Sequence, residues 1–406
     1  MLRTIVAVST LATIGALAVT GCLSDSAATP DAGATDGGPT PQQDSSIPPQ
    51  VDGSDPPADP TKNDTIADSK QNITYRDDLA AHPGCTTADI ATRTSIDAKP
   101  AGYTAAVLPD FPCSAKEYPV PAGEDTTKPI IVLVHGNSST PLDWEANPED
   151  PATGTPNGPK IAETLVADGY HVYAADFRYD KVNDPTEQGT GNAAKNFDHG
   201  WASPILERLI KSLATKYPTR KINLAGFSLG TTIIRDALRR MHHRGEKPFE
   251  KVHSLLLISG ANHGVSSFTA LCNDPANPAN KTMRGLVACQ LGNRDNYSPT
   301  PFLTPLNGAT PAIETPCADG YNAYGQANAC GGNRVLYTTV VFKDQPDGTL
   351  LDEFVSERSA KLQGADNKTV TTVDTSTFFL NGLFKNHYGA IRSAEAIAIA
   401  KAALER

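Results

Sequence analysis

At 406 residues the chain is long enough for two domains or one large core with appendages, which excludes a short peptide scaffold. Its 39% hydrophobic and 20% charged residues are ordinary for a globular protein, while 32 Gly and 32 Pro imply much turn, loop or linker. The net charge of −10 argues against a nucleic-acid partner.

The first 20 residues carry one positive charge, Arg3, and then an apolar run from Ile5 to Val19. That run is too short for a membrane-spanning helix of about 20 residues and suits the core of an export signal. It ends in Val19-Thr20-Gly21-Cys22, which resembles the lipobox of bacterial lipoproteins, with Val and Thr where Leu and Ala are commonest. The resemblance implies removal of residues 1–21, lipidation of Cys22 and attachment to a membrane. The alternative is an ordinary cleaved signal with a buried Cys. Leu23 rather than Asp after the Cys resembles lipoproteins sent to the outer membrane or cell surface.

Residues 22–70 are dominated by Asp, Gly, Pro, Ser, Thr and Ala, with almost no large apolar side chain to offset the entropy of ordering. A disordered, acidic tether is expected, stiffened locally at Pro48-Pro49 and Pro56-Pro57. The remaining chain, 71–406, is expected to fold as one catalytic domain. It holds Cys85, Cys113, Cys272, Cys289, Cys317 and Cys330, an even set in a chain that leaves the reducing cytoplasm. Three disulfides are expected. Of the possible pairings, nearest neighbours (Cys85 with Cys113, Cys272 with Cys289, Cys317 with Cys330) close the shortest loops. No CxxC spacing suggests zinc.

Continuous apolar, β-branched runs predict strands buried on both faces at 129–134, 171–175, 221–225, 252–258 and 335–342, with a weaker β signal over 369–379. Between them, 3.6-residue periodicity predicts helices over 161–167, 205–213 and 231–241, and another follows residue 387. Such alternation implies a mostly parallel α/β sheet flanked by helices. Residues 259–332 interrupt it with Asn, Gly, Pro and four of the cysteines. They read as an insertion or lid whose bridges brace the insertion rather than the sheet.

The chemistry concentrates at Gly226-Phe227-Ser228-Leu229-Gly230, a G-x-S-x-G pentapeptide between a predicted strand and a predicted helix. In that context the serine sits on a strained turn, and the glycines relieve clashes with the neighbouring strand and helix. On this motif and on Val134-His135-Gly136-Asn137 at an early strand end, the chain from about residue 127 resembles the α/β-hydrolases, secreted bacterial lipases and esterases in particular. The resemblance implies Ser228 as nucleophile and the backbone amides of Asn137 and Leu229 as oxyanion donors. It also implies a triad in the order serine, acid, histidine, which leaves His135 a packing role under the oxyanion loop.

The acid is expected after the strand at 335–342, where Asp347 and Asp344 compete. Asp347, followed by Gly-Thr-Leu, resembles the family's Asp-x-x-Val pattern; Asp344 lies nearer the strand. His387 is the one histidine downstream of both and is expected to be the base. His263, in Gly-Ala-Asn-His-Gly, resembles a loop beside the nucleophile in such lipases and is a candidate for pocket lining. Leu142-Asp143-Trp144 and Phe302-Leu303 would line an acyl site or pack in the core. The expected activity is that of a serine carboxylic-ester hydrolase, lipase or esterase, working through an acyl-enzyme without cofactor or metal. A polyester depolymerase acting on polyhydroxyalkanoates, and a non-catalytic surface module on the same fold, are the alternatives.

Overall fold

A computed structural model of the chain describes residues 65–67, 72–74, 115–119, 123–136, 141–145, 160–177, 202–265, 303–307, 314–319, 321–324, 328–347, 351–373 and 384–406. The export signal, Cys22, most of the expected tether, Asn137, Phe302, and Cys85, Cys113, Cys272 and Cys289 lie outside them. Strands β1 (Thr65–Ala67) and β2 (Asn72–Thr74) pair antiparallel in a two-stranded sheet of their own. The first of these falls within the span expected as tether.

The main sheet contains β3 (Ala115–Glu117), β4 (Ile130–Val134), β5 (Val172–Ala175), β6 (Ile222–Phe227), β7 (Val252–Ile258), β8 (Leu336–Phe342) and β9 (Asp366–Val370), in the spatial order β3-β5-β4-β6-β7-β8-β9. Every pairing is parallel except β3 with β5. The apolar runs follow from this geometry. In β4, Ile130, Val132 and Val134 enter one core while Ile131 and Leu133 enter the other, so no position along the strand faces water.

Helices α1 (Ile161–Ala167), α2 (Ala202–Lys216), α3 (Leu229–His243), α4 (Leu303–Asn307), α5 (Glu357–Ala360), α6 (Lys385–Arg392) and α7 (Ala394–Leu404) cover the sheet. Leu206, Leu209, Ile210 and Leu213 of α2 and Ile233, Ile234 and Ala237 of α3 fill the first core. Ile161 and Leu165 of α1, Ile391 of α6, and Ala396, Ala400 and Leu404 of α7 fill the second. Each fully buried Leu or Ile contributes roughly 1.5–3 kcal/mol, so the two-sided sheet carries most of the stability.

Two sequence expectations need correction, and one edge strand was not foreseen. The weak β signal at 369–379 meets an edge strand, β9, only at Thr369 and Val370; the strand begins at Asp366, residues 371–373 are not strand, and 374–379 lie outside the described residues. Pairing on one side only among the described residues, it tolerates the exposed Asn367 and Lys368. Strand β3, at the other edge, is three residues long and gave no apolar signal. The described parts of the insertion, finally, are built into the main core: Leu303, Leu306, Cys317, Ala323 and Cys330 pack with α2 and α3. Cys317 and Cys330 are disulfide-bonded, with Cα atoms 5.9 Å apart. Their segment is fastened to the sheet, since Val335 donates to the Cys317 carbonyl at 2.9 Å and the Tyr337 hydroxyl to that of Pro316 at 2.9 Å. The bridge therefore braces sheet and insertion together.

Connections from β4 diverge: β5 lies on one side of it and β6 on the other. At such a reversal the loops at the carboxyl ends of adjacent strands part and leave a crevice. Gly136 follows β4 and Ser228 follows β6, so both stand at this crevice.

Candidate active site

Ser228 has φ 52° and ψ −122°, a conformation that costs a non-glycine residue about 1–3 kcal/mol. The surrounding backbone holds it there. Its N–H donates to Ile258 O at 2.8 Å, and its carbonyl accepts from the Thr231 N–H at 3.1 Å and the Thr231 hydroxyl at 2.8 Å. The flanking glycines are steric necessities. A Cβ at Gly226 would stand 2.7 Å from Thr231 N, and one at Gly230 only 2.3 Å from Val134 O. Leu229 opens α3, so its N–H belongs to a first turn whose amides lack partners within the helix. An anion at Ser228 would face that end of the helix dipole.

His387 lies on α6 and is only 4% exposed, and its Nδ1 is 2.9 Å from both carboxylate oxygens of Asp352. Phe227, the residue before Ser228, packs its ring 4.8 Å from the imidazole, and the Phe354 ring meets it edge-on at 5.1 Å. Asp352 Oδ1 also accepts the N–H groups of Phe354 and Val355 at 2.9 and 3.0 Å. Burial opposes ionisation of this carboxyl, but the facing His387 and the two backbone donors outweigh it and hold its pKa below the usual carboxylate range. An ionised Asp352 accepts the Nδ1 proton and leaves Nε2 free to accept another. Glu353 holds His387 from its backbone side, accepting the N–H groups of Asn386 at 3.2 Å and His387 at 2.8 Å. No hydrogen bond joins Ser228 Oγ to His387 among the described residues, and such contacts are often long before substrate binds.

A mostly parallel sheet with one antiparallel edge, a strained serine between β6 and α3, and a carboxylate–imidazole pair drawn from the connections after β8 and β9 occur here together. The fold is that of an α/β-hydrolase.

No family model and no curated protein matches the chain. Among solved structures it is similar to the Bacillus licheniformis lipase BlEst2 in mature form, at 18% identity and a TM-score of 0.42, covering 72% of this chain and 98% of that one. Aspergillus fumigatus lipase B gives 16% identity, a TM-score of 0.34 and coverage of 62% and 47%; the phospholipase PlaB of Legionella pneumophila gives 13%, 0.37, and 68% and 60%.

Within this fold, the carboxylate against His387 is Asp352, not either of the expected residues. Asp347 is exposed at the turn after β8. Asp344 instead caps α5, its carboxylate accepting the Glu357 N–H at 2.9 Å, and burial raises its pKa. The signal that identifies Asp352 was present in the sequence: Asp352-Glu353-Phe354-Val355 carries the Asp-x-x-Val spacing, whereas Asp347 is followed by Leu at that position.

His135 is buried, with Nδ1 2.8 Å from Gly136 O and Nε2 accepting the Phe177 N–H at 3.2 Å, a packing role beneath the loop. His263 is also buried. Its Nδ1 faces the Ser359 carbonyl and its Nε2 the Glu314 carboxylate, each at 3.0 Å, so it ties the start of the insertion both to α5 and to a later part of the insertion. Burial pushes Glu314 upward, but His263, the Gln363 N–H and nearby Arg235 hold its pKa below the ordinary value. Leu142, Asp143 and Trp144 form a buried 3-10 turn, and Trp144 and Leu303 are core residues. Among the described residues no group of three or more His, Cys, Asp or Glu side chains is placed to hold a metal ion.

Proposed function

We propose that the chain is a serine carboxylic-ester hydrolase with Ser228 as nucleophile, His387 as base and Asp352 as the acid that orients it. The observation that carries this reading is the buried Asp352–His387 pair, packed through Phe227 against a serine held at positive φ. In this reaction His387 Nε2 takes the Ser228 proton as Oγ bonds to the ester carbonyl carbon, and the carbonyl electron pair moves onto oxygen. The oxyanion is met by the Leu229 amide and the Asn137 amide, donors individually worth on the order of 10² to 10³ in rate. Collapse of the intermediate expels the alcohol, which takes its proton from His387. Water then repeats the sequence to release the acid.

The substrates on this reading are lipid or related carboxylic esters. No helix among the described residues is long and apolar enough to cross a membrane. Attachment through a lipidated Cys22 after export, with residues 22–70 as spacer, is part of the proposal, and C22S protein that stayed in the membrane fraction would contradict it. Fluorophosphonate labelling tests the chemistry. Wild-type protein should be labelled at Ser228 and hydrolyse p-nitrophenyl butyrate, and S228A and H387A should each lose turnover with the fold retained. Substantial activity in either variant refutes the assignment, and a wild-type chain inert to the probe favours a non-catalytic module.

A further inference from the structure

The turn Pro141–Trp144 is buried throughout, yet at its third position it carries a carboxylate with 0% exposure, Asp143. A buried carboxylate is costly unless hydrogen bonds compensate it. Asp143 Oδ2 accepts the Gly136 N–H at 3.0 Å. Gly136 is the point at which β4 delivers the chain to the crevice, and it is pressed onto the nucleophile: a Cβ there would stand 3.2 Å from Ser228 Cβ and 3.1 Å from Phe227 Cδ1. The peptide that Asp143 grips therefore lies against Ser228. The same turn is tied to the base. Arg392, which ends α6, donates to Leu142 O at 3.2 Å, so one four-residue turn contacts both the loop leaving β4 and the helix bearing His387. The apolar anchoring of the turn is already supplied by Trp144, which is fully buried in the second core.

We propose that Asp143 is a positioning residue for the hydrolytic reaction. By holding the Gly136 N–H it fixes the peptide plane from which the oxyanion-binding loop departs, and through Leu142 and Arg392 it sets that plane relative to His387. The inference rests on the hydrolase reading above. It asks for one thing of the chemistry: displacement of an oxyanion donor by about 1 Å costs roughly 10² in rate, with ground-state binding little changed.

The test compares D143A and D143N with wild type, using p-nitrophenyl butyrate and a trifluoromethyl ketone of matching chain length, with rates expressed per fluorophosphonate-titrated site. D143A should lower kcat about 10²-fold, leave KM within about threefold, and raise the Ki of the ketone by a factor similar to the kcat loss, because the ketone's hemiketal oxyanion reports on the same donors. D143N retains an acceptor oxygen and should recover kcat to within about tenfold of wild type. Unchanged kcat per titrated site and unchanged Ki in D143N and D143A, with only a lower Tm, would make Asp143 structural and overturn the proposal. Hydrogen exchange on the unaltered protein supplies a test needing no variant: the Gly136 amide should be protected, and exchange at the rate of a free loop amide would refute the contact. A wild-type chain inert to ester and fluorophosphonate, yet protected at Gly136, would refute the hydrolase reading and remove this role with it.

Discussion

Replacing Asp352 by Asn probes the candidate site at its most informative point. Oδ1 of Asp352 accepts the Phe354 and Val355 N–H groups, and both carboxylate oxygens lie 2.9 Å from His387 Nδ1. An asparagine amide oxygen would keep the Oδ1 position, where two donors demand an acceptor, and its NH₂ would then face Nδ1. Nδ1 would have to accept, which places the imidazole proton on Nε2, where it blocks uptake of the serine proton. The same change in serine proteases costs about 10⁴ in kcat, equivalent to about 5 kcal/mol at the transition state. Measured with p-nitrophenyl butyrate at pH 8 on protein of known Tm, D352N should show that loss. D347N should stay within about twofold of wild type, because Asp347 is an exposed turn residue. Retention of more than about a tenth of wild-type kcat in D352N, or a larger loss in D347N, would refute the placement of the acid.

Because Asp352 has a lowered pKa in the fold, its contribution to stability is present above the unfolded value of about 3.9 and is lost as pH falls through the folded value. Urea midpoints should therefore drop below about pH 4, and D352N should have a shallower acid limb; parallel limbs would contradict this. G230A should lower stability by about 3 kcal/mol or abolish folding, since its Cβ would enter the Val134 and His135 carbonyls at 2.3 and 2.7 Å; calorimetry showing an unchanged Tm would sink the elbow packing. The Cys317–Cys330 bridge closes a span of 13 residues, and removing it in a Cys317→Ala, Cys330→Ala variant should cost about 3 kcal/mol. Because that segment hydrogen-bonds to the start of β8, the loss should appear in the main unfolding transition, and a loss confined to proteolysis of the insertion would argue otherwise.

Much of this was readable from residue order, for identifiable reasons. Strands β4, β6, β7 and β8 announce themselves because both faces are covered, which forces apolar side chains at successive positions. The elbow is legible because glycine is the only residue that fits at 226 and 230. The edges were not legible: β3 pairs on one side only, and its Lys116 is accommodated by an ion pair with buried Glu145 at 2.8 Å, a partner 29 positions away that no local pattern reveals. Neither expected carboxylate faces His387, because the Asp-x-x-Val resemblance was placed on Asp347, where Leu350 stands in the Val position, and not on Asp352, which Val355 follows at that spacing. Asp352 follows a further turn after β8 and is selected by two backbone donors and a histidine 35 positions downstream. Similarly, the composition of the insertion does not reveal its ties to the main core, such as Arg235 of α3, which donates to Leu306 O at 3.0 Å and Asn307 Oδ1 at 2.8 Å.

The approach of Gly230 to the Val134 carbonyl has a consequence for how such a site responds to heat and to sequence change. Where two backbones touch with no side chain between them, there is no rotamer to populate and no methyl group to add or subtract. The height of Ser228 above β4 is thus among the least adjustable dimensions in the molecule. Substitutions elsewhere around Ser228 act through side chains, and they leave this backbone contact, and with it the position of Ser228 over β4, unchanged. That fixed spacing follows from the absence of one carbon atom, the Cβ that Gly230 lacks.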